Sequence, residues 1–390
     1  MKRTGVFALL FFMIVLGAAT PITDAKSVWS GGVQWGTAVA PRTNAYWQDD
    51  GRVPIGKPFP DVAVDGVLLT SSLQSARWSL GMSGPFEDIT PSTATLEFVG
   101  TISASIGDDV VITTGWGSMW AGRVDSITDT RDTKGNHWTT VNATDRIAAI
   151  GNARLRGSAG YSGTFETVAE QLMADAGLSL DVVDESDGTY GLETLRKFST
   201  FSATFTGTVL EYIVAAARSS NAMVALQPNG SLAVMTREAP VTWPPSAVTL
   251  SGTSAPVTWS STYTIDGNIN KWSFTDPTPT ELPDVTIASD IAAHGESTFD
   301  VSPYLQLDTG SGAGLSFLDW WSYVPGPRYD YSGDLIVSDF SQSDLLTLAP
   351  LDWVSESGTY SQVMSMEWSV DAPGEPMRLS LHTDDFLANL

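Results

Sequence analysis

The 390-residue chain carries 44 acidic and 20 basic side chains, a formal net charge of −24, so it lacks the Lys/Arg excess that phosphate binding requires and does not read as a nucleic-acid binder. It has no cysteine, which excludes disulfides, thiolate metal sites and cysteine nucleophiles. With 42% hydrophobic and 16% charged residues, 14 Trp, 35 Gly and 21 Pro, it can fill the cores of two or three domains built from short strands and turns, and it is too aromatic for a disordered chain.

The N-terminus reads as a signal-like apolar leader, residues 1–25. Lys2 and Arg3 precede an apolar run over 6–19, and small residues around Leu16-Gly17-Ala18-Ala19 and Thr23-Asp24-Ala25 offer cleavage sites. The run is short for a membrane-spanning helix. Export is one reading; membrane contact or burial of 6–19 in a particle, or a start codon placed too far upstream, are the others. Residues 26–61 read as an extended arm, with Trp29, Trp35 and Trp47 among Gly, Pro and polar residues and no sustained period.

Short strands begin at Val62. Ala94–Val99 alternates with period 2, Val110–Thr113 does so less cleanly, and Gly107-Asp108-Asp109 marks the turn between them. A third strand runs from Met119 to Ile127. The hairpin turn Asp132-Thr133-Lys134-Gly135-Asn136 leads to a returning strand, His137–Ala143. Thr144-Asp145 then offers a cap for a short helical turn over 146–150. These strands predict a small barrel or sandwich over 62–153.

An α+β insertion over 154–244 follows. Thr164-Phe165-Glu166-Thr167 opens a helix with Val168, Leu172 and Met173 on one face, ending at Gly177. Thr208 opens a second, with Leu210, Ile213, Val214 and Ala217 at helical spacing. Met223–Leu226 and Leu232–Met235 predict a hairpin across Gln227-Pro228-Asn229-Gly230. Beyond Trp243-Pro244-Pro245, a second β-rich region covers 245–390. Its expected strands are 262–269, 271–274 and 363–370, with a loop at 275–284 and a short helix near 314–322.

No catalytic template fits. There is no Gly-x-Ser-x-Gly elbow or Walker loop, and His137, His294 and His382 do not form a zinc pair. No His–carboxylate arrangement is legible, and His137 reads as an exposed strand-end residue. Asp181, Asp184, Glu185, Asp187 and Gly188 invite a calcium reading, but their spacing departs from the calcium loop and suits a solvated loop better. Paired carboxylates are the machinery of glycoside hydrolysis, and with 44 acids no particular pair stands out. Asn142-Ala143-Thr144 and Asn229-Gly230-Ser231 match the glycosylation sequon, a pattern common by chance. The expectation is no catalytic residue, no cofactor and no metal.

Several motifs carry a resemblance. Ser92-Thr93-Ala94-Thr95-Leu96-Glu97-Phe98 is similar to the G-T-A-T-L-x-L strand of actinobacteriophage minor tail proteins. Gly107-Asp108-Asp109-Val110-Val111-Ile112 resembles their G-D-x-V-x-I strand entry, and Trp120-Ala121-Gly122-Arg123-Val124-Asp125-Ser126-Ile127 their aromatic-x-G-R-V-x-x-I strand. Val141-Asn142-Ala143-Thr144-Asp145 matches V-x-A-T-D. The helix from Thr208 and the hairpin closing on Asn229-Gly230-Ser231-Leu232 resemble a later region of the family. Asp266-Gly267-Asn268-Ile269-Asn270 resembles its D-x-x-x-N strand, and Ser361-Gln362-Val363 with Met377-Arg378-Leu379-Ser380-Leu381 its closing strands. The similarity covers about 62–390.

The resemblance implies a mainly β chain of two small β-barrel or sandwich domains with an α+β insertion, of phage tail hub type. It implies a non-enzymatic structural component of the tail tip of a long-tailed bacteriophage, joining the tail tube to tip or fibre proteins. Also implied are a homotrimer, contacts with the distal tail protein, tape measure and tip or fibre proteins, and a lumen that DNA passes without specific binding. The leader departs from the family pattern, and the chain has no C-terminal fibre or lysin extension. A β-rich secreted or surface carbohydrate-binding protein or glycoside hydrolase is the competing reading, supported by the leader and the Trp content.

Overall fold

The computed structural model describes residues 59–82, 89–155, 157–163, 165–178, 182–184, 198–205, 207–219, 222–236, 246–250, 257–264, 270–273, 285–300, 328–337, 342–356 and 358–384. The leader, the arm up to 58, the expected loop at 275–284 and the expected helix near 314–322 lie outside these residues.

The first β region contains β1 (Asp61–Val64), β2 (Val67–Leu68), β3 (Leu73–Gly81), β4 (Thr93–Val99), β5 (Asp109–Thr114), β6 (Gly117–Arg131) and β7 (His137–Asp145), followed by α1 (Arg146–Asn152). Its strands form because every second side chain is apolar. Ala94, Leu96 and Phe98 of β4 are buried while Thr93, Thr95 and Glu97 are exposed. The blurred alternation of β5 has a physical cause: Val110, Val111 and Ile112 are all buried, because both faces of the sheet are covered there.

The middle region supplies β8 (Gly157–Gly163), α2 (Phe165–Asp175), β9 (Val182–Asp184), β10 (Phe198–Phe205), α3 (Val209–Ser219), β11 (Ala222–Leu226) and β12 (Leu232–Thr236). β8 and β10 form a two-stranded sheet; β11, β12 and β9 form another, in which β9 runs parallel to β12. The expected hairpin is present, with Leu226 opposite Leu232. It is buried on both faces. Val224, Leu226, Leu232 and Val234 join the main core, whereas Met223, Ala225, Ala233 and Met235 join a second cluster with Met82, Leu351, Trp353 and Met364.

The last region contains β13 (Val248–Thr249), β14 (Val257–Thr264), β15 (Lys271–Ser273), β16 (Val285–Thr286), α4 (Ala288–His294), β17 (Thr298–Asp300), β18 (Arg328–Val337), α5 (Ser343–Leu346), β19 (Trp353–Glu356), β20 (Thr359–Val370) and β21 (Met377–Asp384).

The two β regions meet in one 13-stranded sheet, whose main path runs β14-β18-β21-β20-β3-β4-β7-β6-β5-β1-β2. The seam is the antiparallel pair β3–β20. Trp78 lies opposite Trp368, with ring centroids 6.3 Å apart and planes 15° from parallel, and both are buried. Each indole removes roughly 150–250 Å² from water, which makes the seam one of the strongest apolar contacts of the chain. Gly81 closes β3 at φ +111°, where a Cβ would run into the Met364 carbonyl. The fold is thus mainly β with an α+β insertion, as expected, and one buried cluster runs from Val62 through the insertion helices to Leu381.

Candidate functional site

Three motif residues act on the fold. Gly122 lies on β6 beneath the Trp120 ring, and a Cβ there would overlap both that ring and the Thr144 carbonyl. The small residue lets the buried indole lie flat on its own strand. Asp145 ends β7 and caps α1: its Oδ1 accepts from the Ile147 amide at 2.9 Å, and its Oδ2 from the Ser92 amide at 2.7 Å. Burial pushes its carboxyl up to about 6, even though these amide donors pull the other way. Asn270 is fully buried; it donates to Asp290 Oδ2 and the Gly295 carbonyl and accepts from the Ser297 amide, knotting β15 to α4 and β17.

The histidines correct two expectations. His137 opens β7 as expected, yet its side chain is only 17% exposed. Two His–carboxylate pairs exist. His294 Nδ1 is 2.8 Å from Asp290 Oδ1, one helical turn away, and His137 Nε2 is 3.6 Å from Asp129 Oδ1. The second approaches a triad, because His137 Nδ1 is 2.8 Å from Thr101 Oγ1. At 3.6 Å Asp129 is beyond hydrogen-bond reach of the ring, and its Oδ1 is already 2.7 Å from Thr139 Oγ1.

Asp181, Glu185, Asp187 and Gly188 lie outside the described residues, as does the side chain of Asp184. Among the described residues no cluster of three or more potential ligands forms a metal site, and no helix is long and apolar enough to cross a membrane. Trp78, Trp120, Trp353 and Trp368 are core residues. The Asn142 amide is engaged inside the sheet, and Asn229 Oδ1 caps its own turn through the Ser231 amide.

What the sheet does present is an extended polar face. Ser126, Asn142 and Thr95 are hydrogen-bonded in a row across β6, β7 and β4. Ser75 donates to Glu97 across β3 and β4, Arg77 to Glu367 across the seam, Ser380 to Asp334 across β21 and β18, and Ser260 meets Ser332 across β18 and β14. The face is rich in hydroxyls, and three arginines whose side chains are described sit beside acids: Arg77 with Glu367, Arg123 with Asp109 and Arg378 with Asp371. Local alternation predicts which residues point outward; only the register reveals that they line up across eight strands.

The fold of this chain is similar to that of solved tail proteins. The 43 kDa tail protein of prophage MuSo2 from Shewanella oneidensis matches with a TM-score of 0.58 and 12% identity, over 85% of this chain and 98% of that one. The tail protein from Neisseria meningitidis matches with a TM-score of 0.60 and 14% identity, again over 85% of this chain and 98% of that one. No protein-family model and no curated protein sequence matches the chain.

Proposed function

We propose that the chain is a non-enzymatic structural subunit of a bacteriophage tail tip, a hub that joins the tail tube to tip or fibre proteins and lines the channel through which DNA leaves. The observation that carries this reading is the fold similarity to two tail proteins, which extends over 98% of each. The assignment to long-tailed, actinobacteriophage-like particles rests on the motif resemblance.

The polar face suits a channel wall. It offers hydroxyls and amides, and its described arginines stand beside acids, so a passing phosphate backbone finds few free cations to replace its counterions. Two β regions, 62–153 and 245–390, allow three chains to present six related units, which would match a six-fold tube to three-fold tip proteins. A head-to-tail interface between such chains closes as a ring. We therefore expect a homotrimer in contact with the distal tail protein, the tape measure and tip or fibre proteins.

A reconstruction of the particle tests the assignment. Three copies around the channel at the tail tip are expected. Six copies, or absence from the tip, would overturn it.

A further inference from the structure

We infer that the Pro350–Leu351 turn is a strained catch that seats the insertion hairpin β11–β12 against the sheet, and that its release lets the insertion shift along a methionine-lined face. The catch is a property of the single chain and does not depend on the assembly proposed above.

The two faces of the hairpin differ in kind. Val224, Leu226, Leu232 and Val234 lie in the main core together with Leu172 of α2 and Ile213 of α3. Branched side chains interlock there, so hairpin and helices form one body. The opposite face, with Met223 and Met235, belongs to the second cluster, which also holds Met82, Met364 and Leu351 and no residue of α2 or α3. Four of the eight buried residues of that cluster are methionine, unbranched and free to change rotamer, and two are alanine, which puts no knob across the interface. Such a face re-packs after a small slide, where interdigitated branched side chains do not.

The same cluster carries two local costs. Leu351 is buried at φ +79°, a left-handed conformation that a leucine rarely adopts. Among the described residues the other non-glycine at positive φ is Asp65, where Asp65-Gly66 suits a two-residue hairpin turn. Leu351 has no polar side chain to favour such a turn, so its surroundings hold it there. Its amide donates to the Val363 carbonyl at 2.8 Å, and its own carbonyl accepts from Gln362 Nε2 at 2.9 Å. From the hairpin tip, Gln227 Nε2 donates to the neighbouring Pro350 carbonyl at 3.2 Å. Gln362 is itself buried, and its Oε1 finds no donor among the described residues. The seated hairpin thus keeps a strained backbone and an unsatisfied amide oxygen in one place, and both favour letting go. The other side of the tip is tied to β6, where Ser118 Oγ donates to the Pro228 carbonyl at 2.9 Å, so the tip keeps an anchor on the first β region when the catch opens. In a tail tip this movement would let the insertion re-seat when a neighbouring subunit loads it; that use alone rests on the proposed function.

Methionine methyl groups report the catch directly. The full-length chain, carbon-13 labelled at its methionine methyls, is measured by relaxation dispersion, which detects exchange on the microsecond to millisecond scale. Exchange is expected at Met82, Met223, Met235 and Met364, and not at Met119, Met173 and Met377, which are buried in the main core. Leu351→Gly, which accepts the positive φ, is expected to lower the population of the second state about fivefold or more relative to Leu351→Ala, which does not. Gln227→Ala, which removes the grip of the tip on Pro350 and leaves the core intact, is expected to raise it about fivefold. Silence at the four cluster methyls, equal exchange at the three control methyls, or indistinguishable Gly and Ala variants would each overturn the catch. Absence of the chain from a tail tip would instead overturn the proposed function and leave the catch standing.

Discussion

Asp145 shows how one motif residue serves geometry at an electrostatic cost. It holds two backbone amides, yet it is buried and its carboxyl titrates near 6, above the 3.8 of an exposed aspartate. With the folded value raised, the native state binds the extra proton between about 4 and 6, so this residue favours folding most below about 4 and that contribution is lost as pH rises through 6. Two pH units correspond to about 3 kcal/mol at most. We predict that the stability of the native chain relative to Asp145→Asn increases by about 2 kcal/mol from pH 7 to pH 4.5, measured by chemical denaturation. A pH-independent difference would show that the carboxyl is solvated after all. Asp145→Ala, which strips both amides of their acceptor, is expected to cost about 1–3 kcal/mol at pH 7. Gly122 gives a second residue-scale prediction. A methyl there meets a backbone carbonyl and a buried ring, so Gly122→Ala should cost about 3 kcal/mol. At Gly135, in the β6–β7 turn, a Cβ meets open space and only φ +86° opposes it, so Gly135→Ala should cost about 1 kcal/mol. Equal costs would mean that overpacking does not explain Gly122.

At the scale of elements the seam between β3 and β20 decides how the molecule holds together. Its residues lie some 290 positions apart, as in the Arg77–Glu367 pair, and its strength comes from Trp78 on Trp368. Trp368→Ala is expected to lose about 3–5 kcal/mol and to abolish the near-ultraviolet signal of the stacked indoles. A fragment ending at residue 153 leaves β3 unpaired on one side and Trp78 uncovered, so it should aggregate or fail to protect its amides from exchange. A soluble, protected fragment would make 62–153 an autonomous domain. This seam also marks the limit of what the sequence discloses. Elements with local signals are legible: the turns at 132–136 and 227–230, a cap at Thr144-Asp145, which the structure assigns to Asp145, both insertion helices and the alternation of β4. β3 and β18 do not stand out as strands in the sequence, and β8, Gly-Ser-Ala-Gly-Tyr-Ser-Gly, has too little apolar pattern to announce itself. The pairing of β3 with β20 left no local trace. The polar face was legible only in parts, since Ser126, Asn142 and Thr95 become neighbours through register alone.

For the whole molecule the question is what a sheet of this length is for. A binding protein for sugars or an enzyme gathers its polar groups into a concave site with perturbed acids and bases. Among the described residues the strongly perturbed carboxylate, Asp145, is bound to the backbone, and the polar groups are spread along the sheet in strand-to-strand hydrogen bonds. We therefore expect no turnover of cell-wall or polysaccharide substrates; turnover abolished by a single Asp or Glu substitution would reveal a site of another kind. The charge pattern leads to the last prediction. Non-specific DNA binders hold duplex with dissociation constants of about 10⁻⁴–10⁻⁶ M through unpaired Lys and Arg, and each phosphate contact steepens the salt dependence. This chain carries −24 overall, and the arginines of its polar face stand beside Glu367, Asp109 and Asp371. These exposed ion pairs add little stability, but they neutralise three arginines of the face, as a wall that DNA must slide past requires. Purified chain titrated into labelled duplex at 50 mM salt should give no saturable binding, and replacing Glu367 and Asp109 together with Gln and Asn should create weak, salt-sensitive retention. Saturable binding by the native chain that weakens steeply with salt would mean that the face holds DNA, and the channel-lining role would have to be abandoned.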